Sequence, residues 1–223
     1  MSERLIFYDY WRSSSAWRVR IALNLKQISV ERRAVNLIGN GGEQHAPDFR
    51  ALNPFSEVPV LVVDDAAGAP RAIGQSMAIV HYLEERFPSP PLLPADPWLR
   101  ARARQMAEMV NAGIQPFHNL SLLQRLRASG VADPATIAHQ SIARGLASLE
   151  ALAPETAGRF LIGDAPTLAD VYLVPQLYGG RRFNVDLAPF PTLLAIETAC
   201  VALQAFAAAH PDLQPDAPVA SKS

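Results

Sequence analysis

Two periodicities divide the chain. Over the first 87 residues, short apolar runs alternate with stretches of helical spacing; beyond residue 98 only the helical spacing remains. Leu5, Ile6, Phe7 and Tyr8 form an unbroken apolar run, the pattern of a strand buried on both faces. A polar turn follows, Trp11-Arg12-Ser13-Ser14-Ser15. Residues 16–26 then read as a helix, with Trp17, Ile21 and Leu25 on one face. Residues 30–37 read as a second strand and Gly39-Asn40-Gly41-Gly42 as a loop. The run 60–63 reads as a buried strand entered through Pro59, which has no N–H for a ladder. Residues 64–70 read as a hairpin loop and 71–73 as the returning strand. Gln75-Ser76 opens a helix with Met77, Val80, Leu83 and Phe87 on one face. The order is strand, helix, strand, loop or helix, strand, strand, helix, an α/β arrangement.

Residues 88–97 hold five prolines in ten positions, the composition of a linker. It separates an N-terminal α/β domain, 1–87, from an all-helical domain, 98–223. In the second, a long helix is expected from Trp98 toward Gln115, kinked at Pro116 and resuming to Ala128. Asp133-Pro134 starts another helix, whose buried stripe includes Ile142, Leu146 and Leu149. Thr167-Leu168-Ala169-Asp170 reads as a capping-box start with Asp170 in place of Glu. Leu193, Ile196, Cys200, Leu203 and Phe206 mark one face of a final helix, and the tail from Pro211 reads as coil.

Composition narrows the function. With 49% hydrophobic and 18% charged residues, the chain can bury a sizeable core. Twenty basic residues against twenty-one acidic ones, without a basic block, argue against nucleic-acid binding. One cysteine, Cys200, allows neither an internal disulfide nor a cysteine metal cluster, and the five histidines are scattered, so no metal site is expected. No apolar run reaches the roughly 20 residues of a membrane span, and no signal-peptide hydrophobic region stands at Met1 to Ile6. A cytoplasmic protein without membrane contact is the expectation.

Three serines, Ser13, Ser14 and Ser15, stand at the mouth of the first helix. Unpaired N–H groups and the helix dipole there suit an anion, a phosphate or a thiolate; the plainer alternative is capping alone. Val58-Pro59 is similarly double-edged. A trans proline at a strand start is what spacing favours, whereas a cis bond would turn the Val58 backbone outward toward a peptide ligand.

The run Arg12-Ser13-Ser14-Ser15-Ala16-Trp17-Arg18-Val19-Arg20-Ile21-Ala22-Leu23 resembles the signature of zeta-class glutathione transferases, also known as maleylacetoacetate isomerases. Gln75-Ser76, Gly113-Ile114-Gln115-Pro116, Asn119-Leu120-Ser121, Thr167 to Asp170, Leu173-Val174-Pro175-Gln176 and Arg182-Phe183 continue the likeness over essentially the whole chain. The resemblance implies a glutathione transferase fold, thioredoxin-like then all-helical, a homodimer, and glutathione as cofactor. It makes Pro59 cis. It places Ser13, with Ser14 and Ser15, at the thiol, and Val58 and Pro59 along the cysteinyl unit. Gln75 and Ser76 fall at the γ-glutamyl end, and Gln44, Gln115 and Asn119 on further glutathione contacts. Arg12 and Arg182 would hold the carboxylates of a small substrate.

The reaction implied is cis–trans isomerisation of maleylacetoacetate in tyrosine and phenylalanine breakdown, by thiolate addition, rotation and elimination. Maleylpyruvate isomerase, a general transferase or haloacid-converting enzyme, and a non-catalytic binding module are the alternatives. The sequence departs from the family at Ser15, where a cysteine is usual, and at Ala16, where a serine is usual. Cys200, at helical spacing among apolar residues, reads as structural.

Overall fold

The computed structural model describes residues 4–64 and 69–218, so the centre of the expected hairpin loop, 65–68, lies outside the described residues. By contact the chain divides into two units. One comprises residues 1–90 with 204–223, the other 91–203. The break falls inside the proline-rich segment.

The first unit is a four-stranded sheet with helices. β1 (Arg4–Asp9), α1 (Ser14–Leu25) and β2 (Glu31–Ala34) form a strand–helix–strand unit whose strands run parallel. β3 (Val60–Asp64) lies antiparallel to β1 and to β4 (Arg71–Gly74), giving the order β2-β1-β3-β4. α2 (Pro47–Leu52) precedes β3, and α3 (Ser76–Arg86) follows β4. β2 is shorter than the apolar spacing of 30–37 predicts and mostly exposed, as an edge strand is. Alternate residues of the sheet feed a cluster of Ile6, Tyr10, Val35, Phe49, Val58, Val60 and Val62.

α1 departs from a simple amphipathic reading. Every residue from Ala16 to Leu23 is buried, Arg18 and Arg20 included. Its sides are taken by α3 and by α9 (Gln204–Ala207), so no face is left for solvent. Arg20 is satisfied inside: its guanidinium donates to Asp9, at 2.8 and 3.1 Å, and to the carbonyl of Ala209 at 3.1 Å. The sequence reading places residues 204–218 in the helical domain. They pack with the first unit because these contacts, and those of Gln214 with Arg32, draw them there. The expected coil from Pro211 is an ordered segment with a 3-10 turn over Pro211–Leu213. Likewise the single final helix is two, since α8 (Pro191–Val201) ends before α9 begins. Apolar spacing runs through the break because each helix buries a stripe against its own unit.

Nor is the proline-rich segment a free linker. The buried Lys26 ammonium donates to the carbonyls of Phe87 and Pro90, at 2.7 and 2.9 Å. Two residues on, the Leu92 carbonyl accepts from the Leu168 N–H at 2.8 Å, within the second unit.

That second unit is helical: α4 (Pro97–Gly113), α5 (Leu120–Ala128), α6 (Pro134–Leu152), α7 (Leu168–Arg182) and α8. α7 is its axis, packed against α4, α6 and α8 and buried at every position from Leu168 to Leu177. Gly145 on α6 is required by close approach, since a Cβ there would stand 2.3 Å from Ile114. Among the described residues no helix is long and apolar enough to cross a membrane.

Because α7 is buried from its first turn, its orphan N–H groups need protein partners. The expected capping box is present: Asp170 Oδ2 accepts from the Thr167 N–H (2.7 Å) and hydroxyl (2.9 Å), and Oδ1 from the Leu161 N–H (2.8 Å). Burial lifts the Asp170 carboxyl to about 6, against these donors, which pull it down. With a folded value above the ordinary 3.8, the folded chain holds the proton longer than the unfolded one. This group's contribution to stability therefore falls as pH rises from about 4 to about 6 and is level beyond. Asp170→Asn should remove that slope from urea unfolding measured across the interval. It should also cost about 1–3 kcal/mol at neutral pH, by turning an amide donor on buried donors.

Candidate active site

Strand register gathers the candidate residues of the first unit. Tyr8 stands opposite Val60, and Val60 opposite Gly74. Just beyond these positions lie the turn after β1, the Val58-Pro59 bond and the Gln75-Ser76 junction. All three therefore emerge at one end of the sheet, and two of them lead into helix N-termini.

At the first, the chain leaves β1 through a turn closed by the Ser13 N–H on the Tyr10 carbonyl at 3.0 Å. Ser13 is the N-cap of α1, its Oγ accepting from the Ala16 N–H at 3.2 Å. Capping and chemistry are thus not alternatives here: the hydroxyl that accepts from the helix still has a proton to donate. Ser14 and Ser15 are the first helical residues, half-buried, with N–H groups that have no carbonyl one turn back. The Arg12 guanidinium lies 5.4 Å from the Trp11 ring centre and has no ion-pair partner among the described residues.

At the second, the Val58-Pro59 bond is cis. The approach to it is ordered by Asn53, buried, which donates to the Glu57 carbonyl at 2.8 Å and accepts from the Phe55 N–H at 3.1 Å. Asn53 also lies against Gly74, where a Cβ would come within 3.3 Å of its amide, and so ties the second segment to the third.

At the third, Gln75 is exposed and holds φ +68°, a backbone that costs a non-glycine residue about 1–3 kcal/mol and that clusters at functional positions. Ser76 opens α3 and is buried, its Oγ accepting from Arg18 at 3.2 Å. A buried cation therefore stands directly behind a helix N-terminus, adding to its pull on a carboxylate. Periodicity gave no sign of Arg18 or Asn53. An arginine inside a helix reads as solvated, and an asparagine before proline reads as an ordinary turn.

Gln44 sits in the glycine-rich loop with its Nε2 on the Leu37 carbonyl at 3.3 Å and its Oε1 buried without a partner among the described residues. Its side chain lies over Gly42 (φ +92°), where a Cβ would be 2.5 Å away. Tyr8 is engaged by Arg33 at 2.9 Å, and the Tyr10 ring belongs to the apolar cluster beside Val58.

In the second unit, Gln115 and Asn119 do not share one helical face as their spacing predicts. α4 stops at Gly113, a 3-10 turn covers Gln115–His118, and Asn119 caps α5 by accepting from the Ser121 N–H at 3.0 Å. Pro116 cannot donate within α4, and the asparagine cap restarts the helix in a new direction. His118, from this turn, is buried and pairs with Gln176 of α7 at 3.2 Å. Arg182, exposed at the last residue of α7, lies over the Phe183 ring at 5.4 Å, and that ring is 5.6 Å from His118. Its neighbour Arg181 is taken up by Glu197.

Comparison with known proteins accords with this layout. Residues 12–86 match the family described as glutathione S-transferase, N-terminal domain. The chain is 45% identical to maleylacetoacetate isomerase of Rattus norvegicus over 96% of its own length and 95% of that protein's. It belongs to the maleylacetoacetate isomerase family. A crystal structure of maleylacetoacetate isomerase from Anaeromyxobacter dehalogenans 2CP-1, with glutathione in its active site, superposes with a TM-score of 0.89 at 54% identity, covering 97% of this chain and 99% of that one. A bacterial zeta-class maleylpyruvate isomerase superposes with a TM-score of 0.88 at 42% identity, covering 96% and 100%. The family's fold, a thioredoxin-like unit and a helical one, is the fold described above.

The capping role of Ser13 is measurable by substitution. Ser13→Ala should lower unfolding stability by about 1 kcal/mol, whereas Ser13→Gly should lower it by only a few tenths. Chemical denaturation of both variants reads the capping share of the residue by itself.

Proposed function

We propose that the chain is a glutathione-dependent enzyme isomerising maleylacetoacetate to fumarylacetoacetate, a step of tyrosine and phenylalanine breakdown. The observation that carries this is the convergence, at one end of the sheet, of two helix N-termini with the Val58-Pro59 segment between them. A peptide bearing a thiolate and a carboxylate fits that donor set, with the sulfur at Ser13 and α1 and the γ-glutamyl carboxylate at Ser76 and α3. Glutathione supplies a thiol that adds reversibly to a conjugated double bond and so frees it to rotate.

The protein's part is electrostatic and positional. Ser13 donates its hydroxyl proton to the sulfur anion, and the first N–H groups of α1 add their partial charge. Arg18, behind Ser76, anchors the far end of the peptide. The Val58 main chain aligns its middle, as an added strand does, with Gln44, Gln75, Gln115 and Asn119 as further contacts. Arg12 and Arg182 receive the substrate's carboxylates. Sulfur from the protein itself is excluded, because Cys200 is fully buried and burial pushes its thiol far up. Ser15, where the family pattern that the sequence resembles has cysteine, therefore costs the reaction nothing it needs. A cytoplasmic homodimer is the assembly that goes with this reading.

Maleylpyruvate is the second substrate to consider, given the likeness to a maleylpyruvate isomerase. Purified protein offered each substrate with and without glutathione decides. Strictly glutathione-dependent turnover of maleylacetoacetate, reduced at least a hundredfold in both Ser13→Ala and Ser13→Gly, is the expected result. Turnover without glutathione would sink the mechanism, and a preference for maleylpyruvate would move the substrate.

A further inference from the structure

The segment after α9 reaches the turn that carries Arg12 and Ser13. The Trp11 N–H donates to Asp216 Oδ2 at 2.8 Å, and the Trp11 carbonyl accepts from Arg20 Nη2 at 2.9 Å. Both main-chain groups at the crest of the turn are therefore held by side chains from outside it. The Tyr10 carbonyl, which closes the turn, also faces Arg20 at 3.4 Å.

Both holds lead to the same stretch. Arg20 is itself placed by the Ala209 carbonyl and by Asp9. Gln214, buried, donates to the carbonyls of Ala208 (3.0 Å) and His210 (2.6 Å) and accepts from Arg32, which sets the path of the chain up to Asp216. Arg32 pairs with Asp9 and stands 4.0 Å from Asp216. Asp9 and Asp216 thus balance Arg20 and Arg32. Without Asp216 the cluster has an excess cation, and the Trp11 N–H loses its acceptor.

We propose that residues 209–216 brace the turn at the thiol site, and that Asp216 is a positioning residue for the Ser13 hydroxyl. Asp216 acts through the Trp11 amide. A fixed Trp11 fixes Ser13 two residues on, and with it the direction of the hydroxyl and of the first α1 N–H groups. Small displacements matter here, since a donor off its line to the sulfur loses most of its pull. The proposal rests on the placement of glutathione sulfur at Ser13.

Two readouts other than turnover test it. One is amide hydrogen exchange at residues 10–13 in the protein without glutathione. The other is titration of the bound glutathione thiol by the ultraviolet absorbance of its thiolate. In Asp216→Ala, exchange at Trp11 should quicken and the bound thiol should titrate about one pH unit higher, a tenfold fall in the thiolate-to-thiol ratio at a given pH. Asp216→Asn keeps an acceptor and should hold both near the wild type. Should the alanine variant fail to fold, Asp216→Ser, whose shorter side chain falls short of the Trp11 N–H, takes its place with the same two expected shifts. Faster exchange without a thiol shift in either variant, or an alanine variant changed only in melting temperature, would overturn the proposal. Wild-type protein that binds glutathione without ionising it would instead sink the placement of the sulfur, and the exchange arm would still report on the brace.

Discussion

A carboxylate with no exposure to water stands at the end of β1, and the first unit is arranged around it. Asp9 is paired there with Arg20 and Arg32, which come from α1 and β2. Burial pulls the Arg20 guanidinium below its ordinary range, and Asp9 opposes that pull. Buried ion pairs seldom add much net stability, but they penalise every arrangement in which one partner is missing. The strand end, the first helix, the edge strand and the segment 204–218 are thereby held to one mutual placement. The turn with Arg12 and Ser13 grows directly out of it.

Around that anchor the candidate site is made mostly of main chain. Helix starts, a cis proline bond and a left-handed glutamine are backbone features, and the side chains that support them, Asn53, Arg18 and Gln214, are buried and bonded to carbonyls or hydroxyls. Such a site tolerates change in side chains that support none of these features, and Ser15, half-buried at the start of α1, is one of them. It tolerates little change in what lies behind. The helical unit follows the same economy: α7 can be buried from Leu168 to Leu177 because Thr167 and Asp170 satisfy its first turn.

Legibility from the sequence followed the range of the forces concerned. The succession of strands and helices along the first unit, the α1 and α3 starts and the capping box of α7 are local, written in apolar runs and short polar motifs, and they were readable. The break between α4 and α5 was half-readable: Pro116 announced a disturbance, but the Asn119 cap that turns it into a new helix looked like a residue on a shared face. What stayed hidden depends on partners distant in sequence. Periodicity gives Arg18 and Arg20 no partners, and Ser76, Asp9 and Ala209 are brought to them only by the fold. The stretch from Pro211 read as coil because its order comes from Arg32 and Trp11, not from any periodicity of its own.

The discontinuity of the first unit bears on how the protein is made. Residues 91–203 are synthesised between the sheet and the short helix that completes it. On the ribosome, therefore, Asp9, Arg20 and Arg32 must wait through the emergence of the entire helical unit before Ala209, Gln214 and Asp216 arrive. A nascent chain that has not yet reached residue 209 therefore lacks the partners that hold Arg20 and the Trp11 amide in the turn before α1.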